Sequence, residues 1–353
     1  MPPSHARHHL SSGDLVADRR LEMARDYALG GEPAAAAELV AQALDLVPDW
    51  AAGWFALGEF REAASARAGD AATEAGDAGP GAPVDPRRDG GGRGAAEATS
   101  PADAAAFRDG AIAAYREALR LDEADRCGAT LRLARLGAAP APDAPPAAHV
   151  RDLFDGYAER YEASLVTALG YRGPELIGRM LDGHAAGRRF ATAFDLGCGT
   201  GLVAPVIRGR VDRLDGVDLA PAMIAKARAG GLYDGLEVGE VVAAMEARAP
   251  RSIDLVTAGD VFCYLGDLTP VFAAVARVAV AGAVFVFTTE AVADDEPGAD
   301  VVLRDSLRWA HRRRHLEEAA RAAGFEVTAI EAAVLRRDRG ADIAGHVALL
   351  TRS

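Results

Sequence analysis

Lysine is almost missing from this chain: of 39 basic residues, Lys226 alone is a lysine. In a sequence so rich in alanine and glycine, this reflects coding composition, and no function follows from it. Cysteine is equally sparse. Cys127, Cys198 and Cys263 are widely spaced and odd in number, which excludes a disulfide framework and the paired spacing of a structural zinc site. A reducing, cytoplasmic setting is the expectation. Long hydrophobic runs are also lacking. The strongest, "VFAAVARVAVAGAVFVFTT" at 271–289, contains Arg277 and a central "AGA" break. It divides into a helix end, a turn and a buried strand better than into one membrane-spanning helix of about twenty residues. The opening "MPPSHARHHLSSGDLV" has no apolar core of signal-peptide length. His5, His8 and His9 within it are assigned to a disordered, solvated tail over residues 1–14 and not to a metal site. Cationic charge is in deficit as well: the formal net charge of −13 runs against a nucleic-acid-binding surface. No membrane, nucleic-acid or metal contact is expected.

What is present is enough apolar residue to bury a core, half of 353 residues, which as a prior means two domains. Residues 15–64 read as helices: "LVADRRLEMARDYALGG", "EPAAAAELVAQALDLVPDW" and "AAGWFALGEFREAASA". The segment "AAAAELVAQALDLVPD" aligns with "DGAIAAYREALRLDEAD" at 109–125 through a shared "AL-L" core. Tyr27, Ala36, Val40, Ala43 and Pro48, then Trp54, Leu57 and Gly58, finished by Ala111, Tyr115 and Ala118, resemble the packing positions of tetratricopeptide repeats. The pattern departs at Glu123, where that family has proline, and at Arg20, where it has a large apolar residue. Between the helices of the second unit, a Gly/Pro/Ala/Asp-rich stretch at about 66–102 is expected to be a disordered insertion. The run "GAAPAPDAPPAAH" at 137–149 is expected to be a stiff linker. The helical module therefore spans 15–136, and a second domain spans 150–353.

That second domain alternates strands and helices: "RRFATAFDLG", "GLVAPVIRG", "RLDGVDLA", "PAMIAKARAG", "LEVGEVV", "SIDLVTAGDV", "LTPVFAAVARVA", "AVFVFTTE". Helix "RRRHLEEAARAAG" and strands "FEVTAIEAAVLRR" and "HVALLTRS" close it. Such alternation means a parallel sheet with helices on both faces. Within it "FDLGCGTGL" places glycine at 197, 199 and 201, the pattern of a sharp strand-to-helix turn whose amides must approach a nucleotide-like ligand. A dinucleotide turn puts its third glycine one residue later. Here an acid, Asp195, stands two residues before the first glycine, and Asp218 ends the next strand.

D-x-G-x-G-x-G followed by that later acid resembles class I S-adenosylmethionine-dependent methyltransferases, over roughly residues 150–353. The resemblance implies an α/β fold: a Rossmann-like, seven-stranded methyltransferase domain behind an all-α repeat module. It also implies site roles. Gly197, Gly199 and Gly201 pass under the cofactor, Asp195 holds its ammonium through water, and Asp218 takes the ribose diol. Met223 covers the adenine, Glu240 accepts from the adenine amino group, and the backbone of Val241 meets the ring. Ala258, Gly259 and Asp260 lie beside the reacting methyl. Upstream, Phe154, Asp155, Ala158, Tyr161 and Glu162 resemble a cap element found in quinone-biosynthesis and carrier-ester methyltransferases. The whole chain resembles bacterial methyltransferases that carry tetratricopeptide repeats.

Candidates for a base are Asp260, Tyr264, His311 and His315. If "VLRDSLRWAHRRRHLEEAA" is one helix, Arg304, Arg308, His311 or Arg312, and His315 share a face suited to a carboxylate or phosphate acceptor. Arg313–Glu317 and Arg314–Glu318 pairs would then lie opposite. Two readings stay open. One is an enzyme that methylates a small acidic, carrier-bound or protein-bound acceptor, with the repeats docking a protein partner. The other is a catalytically silent cofactor-binding or scaffold protein. A first test is Gly199→Val, which puts a branched side chain where the loop needs none. It is expected to abolish S-adenosylmethionine binding in a calorimetric titration while the circular-dichroism spectrum stays native.

Overall fold

The computed structural model describes residues 10–77, 100–158, 170–338 and 340–353. The chain divides into two compact units, Met1–Ala139 and Pro140–Ser353. In the first, helix α1 (Leu15–Leu29) is capped by Asp14, whose carboxylate accepts from the amides of Val16 and Ala17. Helix α2 (Pro33–Leu44) has proline in its first turn. Alanines 17, 24, 36, 37 and 43 bring these two helices close, and Leu21, Val40 and Leu44 join them in a core with Trp50 and helix α3 (Ala51–Asp77). Helix α4 (Pro101–Leu121) meets α3 where Gly58 faces the Tyr115 ring; a Cβ at Gly58 would lie 2.5 Å from that ring. The Tyr115 hydroxyl donates to Glu62 at 2.9 Å, and burial pushes the phenol's pKa well up. Helix α5 (Ala129–Arg135) is started by Asp125, which accepts from the amides of Ala129 and Thr130.

The insertion expected at 66–102 needs correction at both flanks. Residues 66–77 continue α3, and α4 begins at Pro101 behind a capping box of Ser100 and Asp103. The alanine-rich run "ARAGDAATEAGD" carries enough helix propensity to extend α3, and Pro101 fits a first helical turn. The rest of that stretch, and the tail over residues 1–9, lie outside the described residues. The linker expected at 137–149 is also corrected: Pro140 onward belongs to the second unit, and helix α6 (Ala147–Tyr157) starts within it.

In the second unit α6 and α7 (Gly173–His184) precede β1 (Phe190–Leu196), short α8 (Ala204–Ile207), β2 (Val211–Asp218), α9 (Pro221–Gly230), β3 (Gly235–Val238), α10 (Val241–Glu246) and β4 (Ile253–Ala258). Then come α11 (Thr269–Val278), β5 (Ala279–Ala291), β6 (Val301–Leu303), β7 (Trp309–His311), α12 (Arg313–Ala322), β8 (Phe325–Asp338) and β9 (Ala341–Arg352). Strands β3-β2-β1-β4-β5 run parallel in that order. β9 pairs antiparallel with β5, and β8 with β9. Phe262, Phe272, Phe285 and Phe287 fill the face that α10, α11 and α12 cover. The other face packs Val284, Val286, Val347 and Leu349 against α7 and α8.

Among the described residues the sheet has nine strands, the seven expected and two more. The extra pair, β6 and β7, is a hairpin, and β7 joins β5 in parallel at Glu290 and Ala291. It occupies the first part of 302–320, the segment whose arginine face required one helix; the helix read at 312–324 is α12, which begins at Arg313. Leu307 turns the chain with φ of 60°, and Trp309, Ala310 and His311 are all buried. Burial of consecutive residues on both faces of a strand overrides the helical propensity of the arginine-rich run. Glu240 also ends the expected third strand early by opening α10. Gly58→Val is expected to destabilise the helical unit by about 1–3 kcal/mol through overpacking against Tyr115, read as a lower urea midpoint for its unfolding.

Candidate active site

The loop after β1 carries Gly197, Gly199 and Gly201 at φ of 57°, 54° and 95°, a left-handed backbone that glycine adopts freely. A Cβ on Gly197 would lie 2.6 Å from Val261, so the loop also needs the space. Asp218, at the end of β2, fixes this loop. One carboxylate oxygen accepts from the Gly199 amide at 2.9 Å, the other from Ala220 at 2.9 Å. Burial raises the Asp218 pKa against the pull of those two amides. Each oxygen has taken one hydrogen bond and keeps capacity for another.

Gly197, Gly199, Asp218 and Met223 line a cleft, with Glu240 and Val241 beyond them. Gly259, Asp260, Val261, Tyr264 and Leu265 form the wall beyond β4. Ala144, Pro145, Ala147, Val150 and Phe154 come from α6 and the segment before it. That segment is tied down by the Gly266 amide, which donates to the Asp143 carbonyl at 2.6 Å, and Asp155 accepts from the Ala222 amide at the start of α9.

Other residues singled out in the sequence stand elsewhere. Asp195 is 1% exposed beneath the loop, where Tyr233 and Thr257 donate to its two oxygens at 2.7 and 2.6 Å. Burial lifts its pKa to about 6, while those hydrogen bonds pull it back down. Gly201 and Ala258 do not line the cleft. Glu240 caps α10, accepting from the amides of Val242 and Ala243, so its carboxylate is engaged there first. Tyr161 and Glu162 lie outside the described residues.

The arginine face is corrected outright, because the helix that would have built it is a hairpin. Arg304 pairs with Glu296 at 2.6 Å. His311 is fully buried, its ring between Thr289 Oγ1 at 2.8 Å and the Gly266 carbonyl at 3.2 Å. Burial lowers its pKa to about 4, which keeps the imidazole neutral and structural. His315 stacks on His311 and borders a separate surface hollow with Trp309 and Gly266. Arg313 pairs with Glu317, but Arg314 turns to Asp300 and not to Glu318.

Arg308 alone reaches the cleft wall. It stacks over the Tyr264 ring at 4.8 Å, donates to the Tyr264 hydroxyl, and lies 3.4 Å from both Asp260 and Glu290. Arg336, from β8, closes the group, 3.0 Å from Asp260 and 2.5 Å from Glu290. Two guanidiniums and two carboxylates thus neutralise one another in a buried cluster. Burial pushes the Tyr264 phenol well above its ordinary pKa. Asp260 holds φ of 59°, uncommon outside glycine and tolerated best by Asp and Asn. Sequence reading missed Tyr233, Thr257, Glu290 and Arg336. A charged residue closing the apolar strand "VFVFTTE" was the one local signal, for Glu290.

A parallel-centred sheet with a glycine loop after its first strand and a carboxylate ending the second defines a Rossmann-like site for a nucleoside-bearing cofactor. Residues 194–287 match the family model described as a methyltransferase domain. A ubiquinone biosynthesis O-methyltransferase from Stutzerimonas stutzeri (strain A1501) is 31% identical over 125 residues, 33% of this chain and 54% of that protein. Human methyltransferase-like protein 27 is 36% identical over 96 residues, 27% of this chain and 39% of that one. The chain therefore spans about half or less of the length of these relatives. The crystal structure of a S-adenosylmethionine-dependent methyltransferase from Clostridium acetobutylicum ATCC 824 aligns at 18% identity and a TM-score of 0.42, over 57% of this chain and 99% of that one.

Residues 194–287 of the second unit carry an S-adenosylmethionine-dependent methyltransferase domain. The residues present fit that cofactor: a carboxylate with spare acceptor capacity at Asp218, side-chain-free backbone at Gly197 and Gly199, and apolar Leu219, Met223 and Val241 for a planar base. Among the described residues, no helix is long and apolar enough to cross a membrane and no cluster of His, Cys, Asp or Glu could hold a metal ion. Asp218→Ala removes a charged acceptor whose hydrogen bonds are each worth roughly 1.5–3 kcal/mol. It is expected to weaken S-adenosylmethionine in a calorimetric titration by at least tenfold.

Proposed function

We propose that the protein transfers the methyl group of S-adenosylmethionine to an uncharged, largely apolar acceptor. The carrying observation is the closed ion cluster behind the wall beyond β4. Asp260, Glu290, Arg308 and Arg336 satisfy one another, so an anionic acceptor would bring an uncompensated charge into a buried site. The remaining wall, with Val150, Phe154, Val261 and Leu265, is apolar. This replaces the acidic acceptor, whose support was the arginine face that the hairpin dissolves.

When bound, the cofactor supplies an electrophilic methyl on a sulfonium. The chain's part is alignment and dryness, since holding reactants in line lowers a barrier by roughly 7–11 kcal/mol. Relatives named as O-methyltransferases favour a hydroxyl acceptor. Such an oxygen becomes strongly acidic as the methyl arrives, so a weak base suffices. Asp260 is the carboxylate on that wall and the residue we assign to it. Tyr264, raised by burial and contacted by Arg308, holds the wall.

The helical unit is proposed as a docking module for a protein partner. Leu15, Val16, Met23 and Tyr27 of α1 are exposed apolar side chains, which supports that role. The function is tested by adding the protein and methyl-labelled S-adenosylmethionine to a cell extract. Label is expected in product that partitions into ethyl acetate at neutral pH and survives alkali. Label released as methanol by alkali, or precipitating with protein, would refute the neutral small-molecule acceptor. No label above a heat-killed control would refute the enzyme.

A further inference from the structure

Tyr233 belongs to no motif; it stands in the loop between α9 and β3, yet its side chain enters beneath the glycine loop. A Cβ on Gly201 would lie 3.1 Å from one edge of its ring, and one on Gly216 of β2 would lie 2.9 Å from the other edge. The ring is thus wedged between the loop and the strand beside it. Its hydroxyl donates to one oxygen of Asp195 at 2.7 Å, and Thr257 from β4 donates to the other at 2.6 Å. Asp195, the last acid before the glycines, is thereby held from two sides by donors.

We propose that Tyr233 is a positioning residue for the cofactor: its ring sets the height of the glycine loop, and its hydroxyl holds Asp195 as the carboxylate that a cationic cofactor needs beneath it. This rests on the methyltransferase reading above. Two hydroxyl donors facing one carboxyl group favour its ionised, acceptor-only form. A protonated Asp195 would have to donate to one of them and force a hydroxyl to turn. The same carboxylate then acts through the loop as a fixed negative charge without entering the cleft.

The other titratable groups facing Asp195 are Asp218 from β2 and the Cys198 thiol from the loop. Burial pushes the Cys198 and Tyr233 groups far above their ordinary values, so neither ionises near neutrality. Burial opposes ionisation of Asp195 as well, its two hydrogen bonds favour it, and nearby Asp218 opposes it. Removing one donor therefore moves Asp195 upward, and S-adenosylmethionine affinity should be lost at a higher pH.

The test is calorimetric titration of the full chain with S-adenosylmethionine from pH 5 to pH 8.5. Affinity of the unmodified protein is expected to fall on the acid side. Tyr233→Phe keeps the ring and is expected to move that midpoint up by about one pH unit, the scale of one hydrogen bond to a charge, while most affinity at pH 8 remains. In an Asp195→Asn background the same change should leave the profile where it was. An unmoved midpoint in Tyr233→Phe overturns the proposal, as does an equal shift in the Asp195→Asn background. If Tyr233→Phe does not fold, Thr257→Val removes the other donor and must produce the same upward shift; an unmoved midpoint there overturns it too. A parent protein that binds no S-adenosylmethionine at any pH overturns the methyltransferase reading itself, and so is told apart from an unmoved midpoint.

Discussion

Asp218 accepts the Gly199 amide through one oxygen and the Ala220 amide through the other, so a single carboxylate joins the glycine loop to the next strand-to-helix turn. Much of the cleft follows from that bridge. Without it, three left-handed glycines would have many alternative backbone states and none of them preferred. With it, Gly197 and Gly199 face the cleft, and the start of α9 brings Met223 alongside. Tyr233 supports the same loop from the opposite side, where its ring meets Gly201 and Gly216. The loop is therefore held from above by a carboxylate and from below by a ring.

The wall beyond β4 obeys a different constraint. A buried charge without a counter-charge is strongly destabilising, and here four charges from the segment after β4, from β5, from β8 and from the β6–β7 turn cancel. Their joint neutrality links elements far apart in the chain, since Arg336 stands 76 residues from Asp260. Arg308 lies farther from Asp260 than Arg336 does and is less buried, while Asp260 is the member of the cluster that lines the cleft. The strained backbone of Asp260 is kept in place by Thr288, which accepts its amide at 2.9 Å, and by the two guanidiniums. Rigidity on this wall and in the loop gives the two sides of one cleft separate supports.

The glycine loop, the acid at the end of β2 and the alternation of strands with helices were legible because each is a local pattern. Glycine at alternate positions, or an acid closing an apolar strand, answers to the backbone within a few residues. The arginine-rich segment at 302–320 misled because its helical periodicity is real, and α12 begins inside it. What decided the outcome there was burial: Trp309 lies against Gly266, and β7 takes up the end of β5 that β4 leaves unpaired. The expected insertion erred at its flanks for the reverse reason, since alanine-rich composition extended α3 where glycine and proline suggested its end.

By itself, then, the sequence determined a helical module followed by a Rossmann-like domain, the turn that faces the cofactor, and the strand end that fixes this turn. These depend on backbone freedom and on hydropathic period, which are written residue by residue. Only the tertiary structure decided that Asp195 lies under the loop in the grip of Tyr233 and Thr257, and that Arg308 and Arg336 answer Asp260 and Glu290. Pairings of that kind join residues tens of positions apart, and no local pattern encodes which partner a buried charge will meet once the sheet has closed.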